Sequence, residues 1–272
     1  MRLVPTPGRQ RAFTLVELAV VLAIVGLLLG SLMYTLSAQV DQRAREETQR
    51  RLEQAREALL GYAVAHGRLP CPAADGATGI ESPAGGSDCT NYRNGFLPAI
   101  TLGFQPLDDD GYAVDAWNNR IRYAVARNLN TASCIGTSTV PHFTVSATLK
   151  QNGMSCLPHS TELLICKSSA TSPTPVPGNC GPASNTVTNS NPSGSVVAVI
   201  FSTGKNYAAA PTAVAALAAA KPDEAANLDN NAIFIARTPS PGGVAGGEFD
   251  DMVVWISVGS FYGRLATAAI LP

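Results

Sequence analysis

The chain has 272 residues, 46% of them hydrophobic and only 14% charged, with 24 Gly, 19 Pro and a formal net charge of −1. No basic excess is present of the kind that drives binding to nucleic acid, so nucleic acid is not expected as a partner. Setting aside the first 66 residues leaves a part long enough for one sizeable domain with its own core.

Residues 1–12 contain Arg2, Arg9 and Arg11 together with Pro5, Pro7 and Gly8, and read as a basic leader without regular structure. Residues 13–40, FTLVELAVVLAIVGLLLGSLMYTLSAQV, are mostly apolar and uncharged with one exception. From Leu18 through Val40 no charge occurs over about 23 residues, which at ~1.5 Å per residue is enough to cross a ~30 Å hydrocarbon core. A membrane helix is expected. A secretory signal peptide fits less well, because its apolar part is shorter and is followed by a polar cleavage region. The exception is Glu17, an acid whose insertion cost the surrounding Leu, Ile, Val and Phe outweigh, but which needs a partner. Gly26 and Gly30 have the G-x-x-x-G spacing that lets membrane helices approach closely.

Residues 41–66 continue the helix without a breaker and are rich in Ala, Leu, Glu, Gln and Arg. Apolar or aromatic positions at Val40, Ala44, Leu52, Ala55, Leu59, Tyr62, Ala63 and His66 follow a helical period, so this half is amphipathic and should lie against a domain. Gly67, Pro70 and Pro72 end it.

The segment RAFTLVEL, Arg11 to Leu18, resembles the processing site of type IV prepilins and type II secretion pseudopilins. In that family a membrane peptidase cuts before a Phe, whose new amine is methylated. The resemblance implies a cut between Ala12 and Phe13, with Phe13 as the N-methylated N-terminus. The family usually has Gly before the cut, and Ala12 keeps the small size. The resemblance also gives Glu17 its partner, the amine of Phe13 on a neighbouring subunit, which would set register in a filament. Implied partners are prepilin peptidase, other pilin or pseudopilin subunits, an inner-membrane assembly platform and membrane lipid. The three leader arginines fit a cytoplasmic N-terminus and a periplasmic C-terminal domain, with later passage into a filament. GRLPCPAADG and DAWNNRIRYAV resemble segments of large pilin-like proteins, with Asn118 where the family commonly has Gly.

Residues 67–272 read as the periplasmic globular domain. Its six cysteines, Cys71, Cys89, Cys134, Cys156, Cys166 and Cys180, are an even set in an exported region and are expected as disulfides. Of the connectivities they allow, sequential pairing (Cys71–Cys89, Cys134–Cys156, Cys166–Cys180) closes short loops and is the expected one. No Cys-x-x-Cys or His-x-x-x-His spacing supports zinc. Residues 69–98 and 168–195 read as loops. Strands are expected at 120–126, 143–149, 162–166, 196–202, 232–237 and 252–258, and helices at 211–220 and 261–270. The fold class is therefore α+β, a long N-terminal helix packed on an antiparallel sheet, pilin-like.

No catalytic constellation is present: G-x-S-x-G and H-E-x-x-H are absent, and His66, His142 and His159 stand in unrelated contexts. Ser202-Thr-Gly-Lys205 has Val199 where a phosphate-binding loop needs Gly, and reads as a turn after a strand. Acidic clusters at Asp108-Asp-Asp-Gly111 and in GGEFDDMVVW place oxygen donors beside Gly. The second resembles a calcium-holding segment of some major pseudopilins, with Asp250 and Asp251 as candidate ligands; no other cofactor is expected. The reading is a structural filament subunit, a minor pilin or pseudopilin, and not an enzyme. A filament-tip adhesion module is the alternative, and a membrane-anchored periplasmic enzyme a further one.

Overall fold

The computed structural model describes residues 14–76, 78–128, 140–157, 161–188, 196–207, 217–218 and 221–271, leaving out the side chains of residues 29 and 31–38. The chain divides into two units, Met1–Glu46 and Glu47–Pro272, with α1 (Leu15–His66) running through both.

In the first unit α1 opens on Thr14, whose Oγ1 accepts from the Glu17 backbone N–H at 3.3 Å. Thr-x-x-Glu is the sequence pattern of a capping box, so the start of the helix is written locally. Beyond it Leu15, Val16, Leu18, Val20, Val21, Leu22, Ile24, Leu27 and Leu28 are all exposed. Among the described residues of this unit nothing covers that apolar surface. Among the described residues no helix is long and apolar enough to cross a membrane. Much of the second half of the expected span, 31–38, falls among the side chains not described.

The second unit holds the core. Leu52, Ala55, Leu59, Leu60 and Ala63 of α1 are buried at three- and four-residue spacing. Gly67 (φ +66°) ends the helix, its N–H bonding Ala63 O at 2.8 Å. Then follow β1 (Gly95–Phe96), α2 (Ala99–Leu102), β2 (Arg122–Val125), α3 (Ser146–Asn152), β3 (Leu164–Cys166), β4 (Val196–Ser202), α4 (Pro222–Ala226), β5 (Ile233–Ile235), β6 (Met252–Ser257) and α5 (Val258–Thr267). Four strands form an antiparallel sheet in the order β1-β2-β4-β6. The interior strand β4, VVAVIFS, is buried at every position, which its unbroken apolar run requires.

The architecture is α+β, with three departures from expectation. β3 and β5 pair in parallel as a separate two-stranded sheet. The expected strand at 143–149 is instead a turn followed by the start of α3, where Thr148, Leu149 and Asn152 are buried at helical spacing and Thr148 Oγ1 bonds Pro141 O at 2.7 Å. Tertiary burial overrides the β-branched propensity there. The final helix begins at Val258, three residues earlier than expected, capped by Ser257 Oγ from Ser260 N at 3.2 Å. The expected helix at 211–220 lies outside the described residues apart from 217–218.

The segment DAWNN forms a turn docked on α1. Asp115, almost fully buried, accepts from Trp117 N and Asn119 N at 2.9 and 2.8 Å and from Ser202 Oγ at 2.5 Å. Arg51 Nη1 donates to Val114 O and Asp115 O at 3.0 and 2.8 Å, and Thr48 Oγ1 accepts from Ala116 N at 3.1 Å. Asn118 sits at φ +68°, so asparagine takes the left-handed turn position that glycine most readily fills.

Candidate functional site

The processing residues Ala12 and Phe13 lie outside the described residues. Glu17 lies in the first turn of α1, exposed, four residues before the next turn's Val21 and surrounded by apolar side chains. A carboxylate in that setting is the group to be neutralised once the helix is covered, whatever covers it.

Two disulfides have both cysteines among the described residues, Cys71–Cys89 and Cys166–Cys180. Cys156 is buried and disulfide-bonded, and Cys134 lies outside the described residues.

Asp250 and Asp251 converge with a third acid. Glu224, Asp250 and Asp251 each offer one oxygen within 4.8 Å of the others. Glu224 comes from α4, which Pro222 opens at its first position, and Asp250 and Asp251 come from the lead-in to β6. The backbone joins the two elements, since Asp250 N donates to Glu224 Oε1 at 3.1 Å. Asp250 Oδ2 accepts from Lys205 N at 2.9 Å and Asn206 N at 3.3 Å. The Ser-Thr-Gly-Lys turn thus presents its N–H groups to a carboxylate of its own chain. Gly204 is required here: at φ +68°, an added Cβ would stand 2.2 Å from Asp250 Oδ1. That Oδ1 is buried and has no hydrogen-bond donor. Asp251 Oδ2 takes the Asn227 side-chain amide at 2.7 Å, and Asn227 is fixed in turn by Ile235 N at 2.6 Å.

A lysine serves the group. Lys221 Nζ lies 3.2 Å from Glu224 Oε2 and 3.3 Å from Glu248 Oε2. It does not compensate the whole cluster. Burial, followed by the charge of Asp250, pushes the Glu224 carboxyl up to about 7. Burial also raises Asp250, and raises Asp251 well above the carboxylate range.

An all-oxygen donor set around an orphaned buried oxygen fits a hard divalent cation. The other acidic turn does not. Asp108 and Asp110 are already paired with Arg120 at 2.6 and 2.5 Å, and Asp108 Oδ1 accepts from Asp110 N and Tyr112 N.

Glu224 was not visible as a site residue in the sequence. In KPDEAA it reads as an ordinary first-turn acid, and nothing in its 26-residue separation from Asp250 marks the encounter. Another polar centre was missed for the same reason: Arg68 and Glu81 form a buried bidentate pair at 2.8 and 2.7 Å.

Residues 7–33 match the prokaryotic N-terminal methylation motif. This is the prepilin cleavage signal of type IV pilins and pseudopilins, and it spans residues 7–12 of the expected leader, the Ala12–Phe13 bond and the apolar start of α1. No curated protein and no solved structure matches the chain. The motif implies processing by prepilin peptidase and assembly with other pilin-type subunits.

Proposed function

We propose that the chain is a minor pilin or pseudopilin, a structural subunit of a type IV pilus or a type II secretion pseudopilus. The methylation motif at residues 7–33 carries this reading. The exposed apolar surface of α1 within it gives the motif a physical purpose. Residues 13–40 would hold the precursor in the inner membrane, with the leader cytoplasmic and residues 67–272 periplasmic, until an assembly platform transfers the helix into a bundle of like helices. After a cut at Ala12–Phe13, the Phe13 amine of one subunit would neutralise Glu17 of the next. Mass and N-terminal sequence of the membrane-extracted protein test the processing step: a chain beginning at N-methylated Phe13 is expected, and an intact Met1 in cells with active prepilin peptidase overturns it. Glu17→Gln is expected to insert in the membrane normally and to be depleted from sheared filaments. Normal incorporation would remove the role given to Glu17.

We also propose that Glu224, Asp250 and Asp251 hold calcium. The ion would supply positive charge to carboxylates that Lys221 leaves uncompensated, tying α4 to the start of β6 and the 204–206 turn. Calorimetric titration is expected to show binding by the wild type and none by Asp250→Asn. An absence of binding at millimolar calcium removes the site.

A further inference from the structure

The Cys71–Cys89 disulfide, with Cα atoms 5.4 Å apart, holds side by side two chain segments that leave it in sequence, Ala74–Asp75 and Thr90–Arg93. Between them lies a cleft of about 500 Å³, completed by Arg127 just beyond β2 and by Asn230 from the turn before β5. That volume falls in the range of small-molecule sites. It has no part in the methylation motif, the helix or the acidic cluster.

The polar groups of the cleft are held in place yet keep hydrogen-bonding capacity unspent. Arg127 gives Nε and Nη2 to Asp88 at 2.9 and 2.6 Å and lies 5.4 Å from the Tyr92 ring centre, which fixes its plane and leaves Nη1 uncommitted. Arg93 has one carboxylate near it, Glu162 at 4.0 Å. Both Glu162 oxygens are already taken, by Asn128 N at 3.1 Å and Arg127 N at 3.2 Å. Asn91 accepts from Arg93 N and Asn94 N through Oδ1, at 3.1 and 2.9 Å, which fixes the amide and leaves its NH2 group to the cleft. Asn230, at φ +60°, adds a second amide, and Asp75 an acceptor.

Guanidinium groups with spare donors recognise a carboxylate through parallel N–H bonds. Amides and a carboxylate around them match hydroxyl groups, each of which both donates and accepts. We propose that this cleft binds an acidic saccharide, with its carboxylate on Arg93 and Arg127 and its hydroxyls on Asn91, Asn230 and Asp75. The disulfide and the Asp88–Arg127 pair pre-organise the site, so that little ordering is left to binding.

The test is calorimetric titration of the full chain in neutral detergent with glucuronate, an oligouronate, glucose and inorganic phosphate. Both uronates are expected to bind. Glucose, lacking the carboxylate, and phosphate, lacking the hydroxyls, are each expected to bind at least roughly tenfold more weakly. Tighter binding of the oligouronate per chain than of glucuronate points to a surface polysaccharide as the source; equal binding points to the free acid. Arg93→Gln removes a side chain whose ion-pair partner, Glu162, stands at 4.0 Å and keeps its two backbone donors, and should weaken glucuronate roughly tenfold with little change in the unfolding midpoint. The proposal is overturned if neither uronate binds, if glucose or phosphate matches glucuronate, or if Arg93→Gln binds glucuronate as the wild type does.

Discussion

Glu81 and Glu224 are both buried carboxylates beside a cation, and they end in opposite electrostatic states. Burial alone would raise Glu81, but the Arg68 fork, Tyr62 OH at 3.2 Å, Cys71 N at 3.1 Å and Gly85 N at 3.1 Å outweigh it, and its pKa is lowered. Around Glu224 the same burial meets Lys221 and one backbone N–H, with Asp250 and Asp251 adjacent, and the carboxyl is pushed up to about 7. A cation at ion-pair distance therefore does not decide the state of a buried acid. The number of donors aimed at it, and the acids beside it, decide.

The largest expected effect is at the saturated centre. Arg68→Ala leaves Glu81 buried with its main partner gone and removes the guanidinium 5.3 Å from the Tyr62 ring centre. It should cost about 3–5 kcal/mol by urea denaturation. Because the Glu81 pKa is lowered in the folded state, its contribution is present above the unfolded carboxylate pKa and is lost as pH falls through the folded value. A cost below ~1 kcal/mol would mean that backbone donors alone hold Glu81.

At the frustrated centre the sign reverses. Glu224→Gln keeps an acceptor for Asp250 N while removing one of the crowded charges. In calcium-free buffer at pH 8 it should stabilise the domain by about 1–2 kcal/mol. The folded carboxyl titrates near 7 against 4.5 unfolded, so in the wild type this group's contribution declines as pH rises between those values. His142, buried and lowered from 6.5 to about 4, works in the opposite direction as pH falls below 6.5. The difference between wild type and Glu224→Gln isolates the Glu224 part. Loss of stability in Glu224→Gln at pH 8 would show that the Lys221 pair outweighs the repulsion, and would collapse the contrast with Glu81.

The sequence announced elements whose cause is local. The unbroken run of helix formers after residue 40 marks the continuation of α1, Gly67 its end, and the apolar run 196–202 a strand. It announced Asp250 and Asp251 because two acids beside glycines are visible as a cluster. It could not announce Glu224, or the meeting of Arg68 with Glu81, since each owes its role to chain segments brought together by the core. The parallel pairing of β3 with β5 belongs to the same class: two short apolar runs carry no signal of direction. Thr148 and Leu149 misled because a β-branched stretch, long enough for a strand, is turned into a helix by what it packs against.

Exposure completes the comparison. Arg264 Nη2 meets Glu57 Oε2 at 2.6 Å, as short as the contacts of the Arg68 fork, but the two side chains are 53% and 51% exposed. Water already solvates both partners, so the pair replaces good hydration with an attraction that solvent screens. Arg264→Ala should therefore change stability by only about 0.2–0.5 kcal/mol, and less still at high salt. A loss above ~1 kcal/mol would mean that α5 is held to α1 by this contact more than by its buried Phe261, Tyr262 and Leu265. Short distance would then predict energy as well as burial and donor count do, and the difference between Glu81 and Glu224 would need another cause.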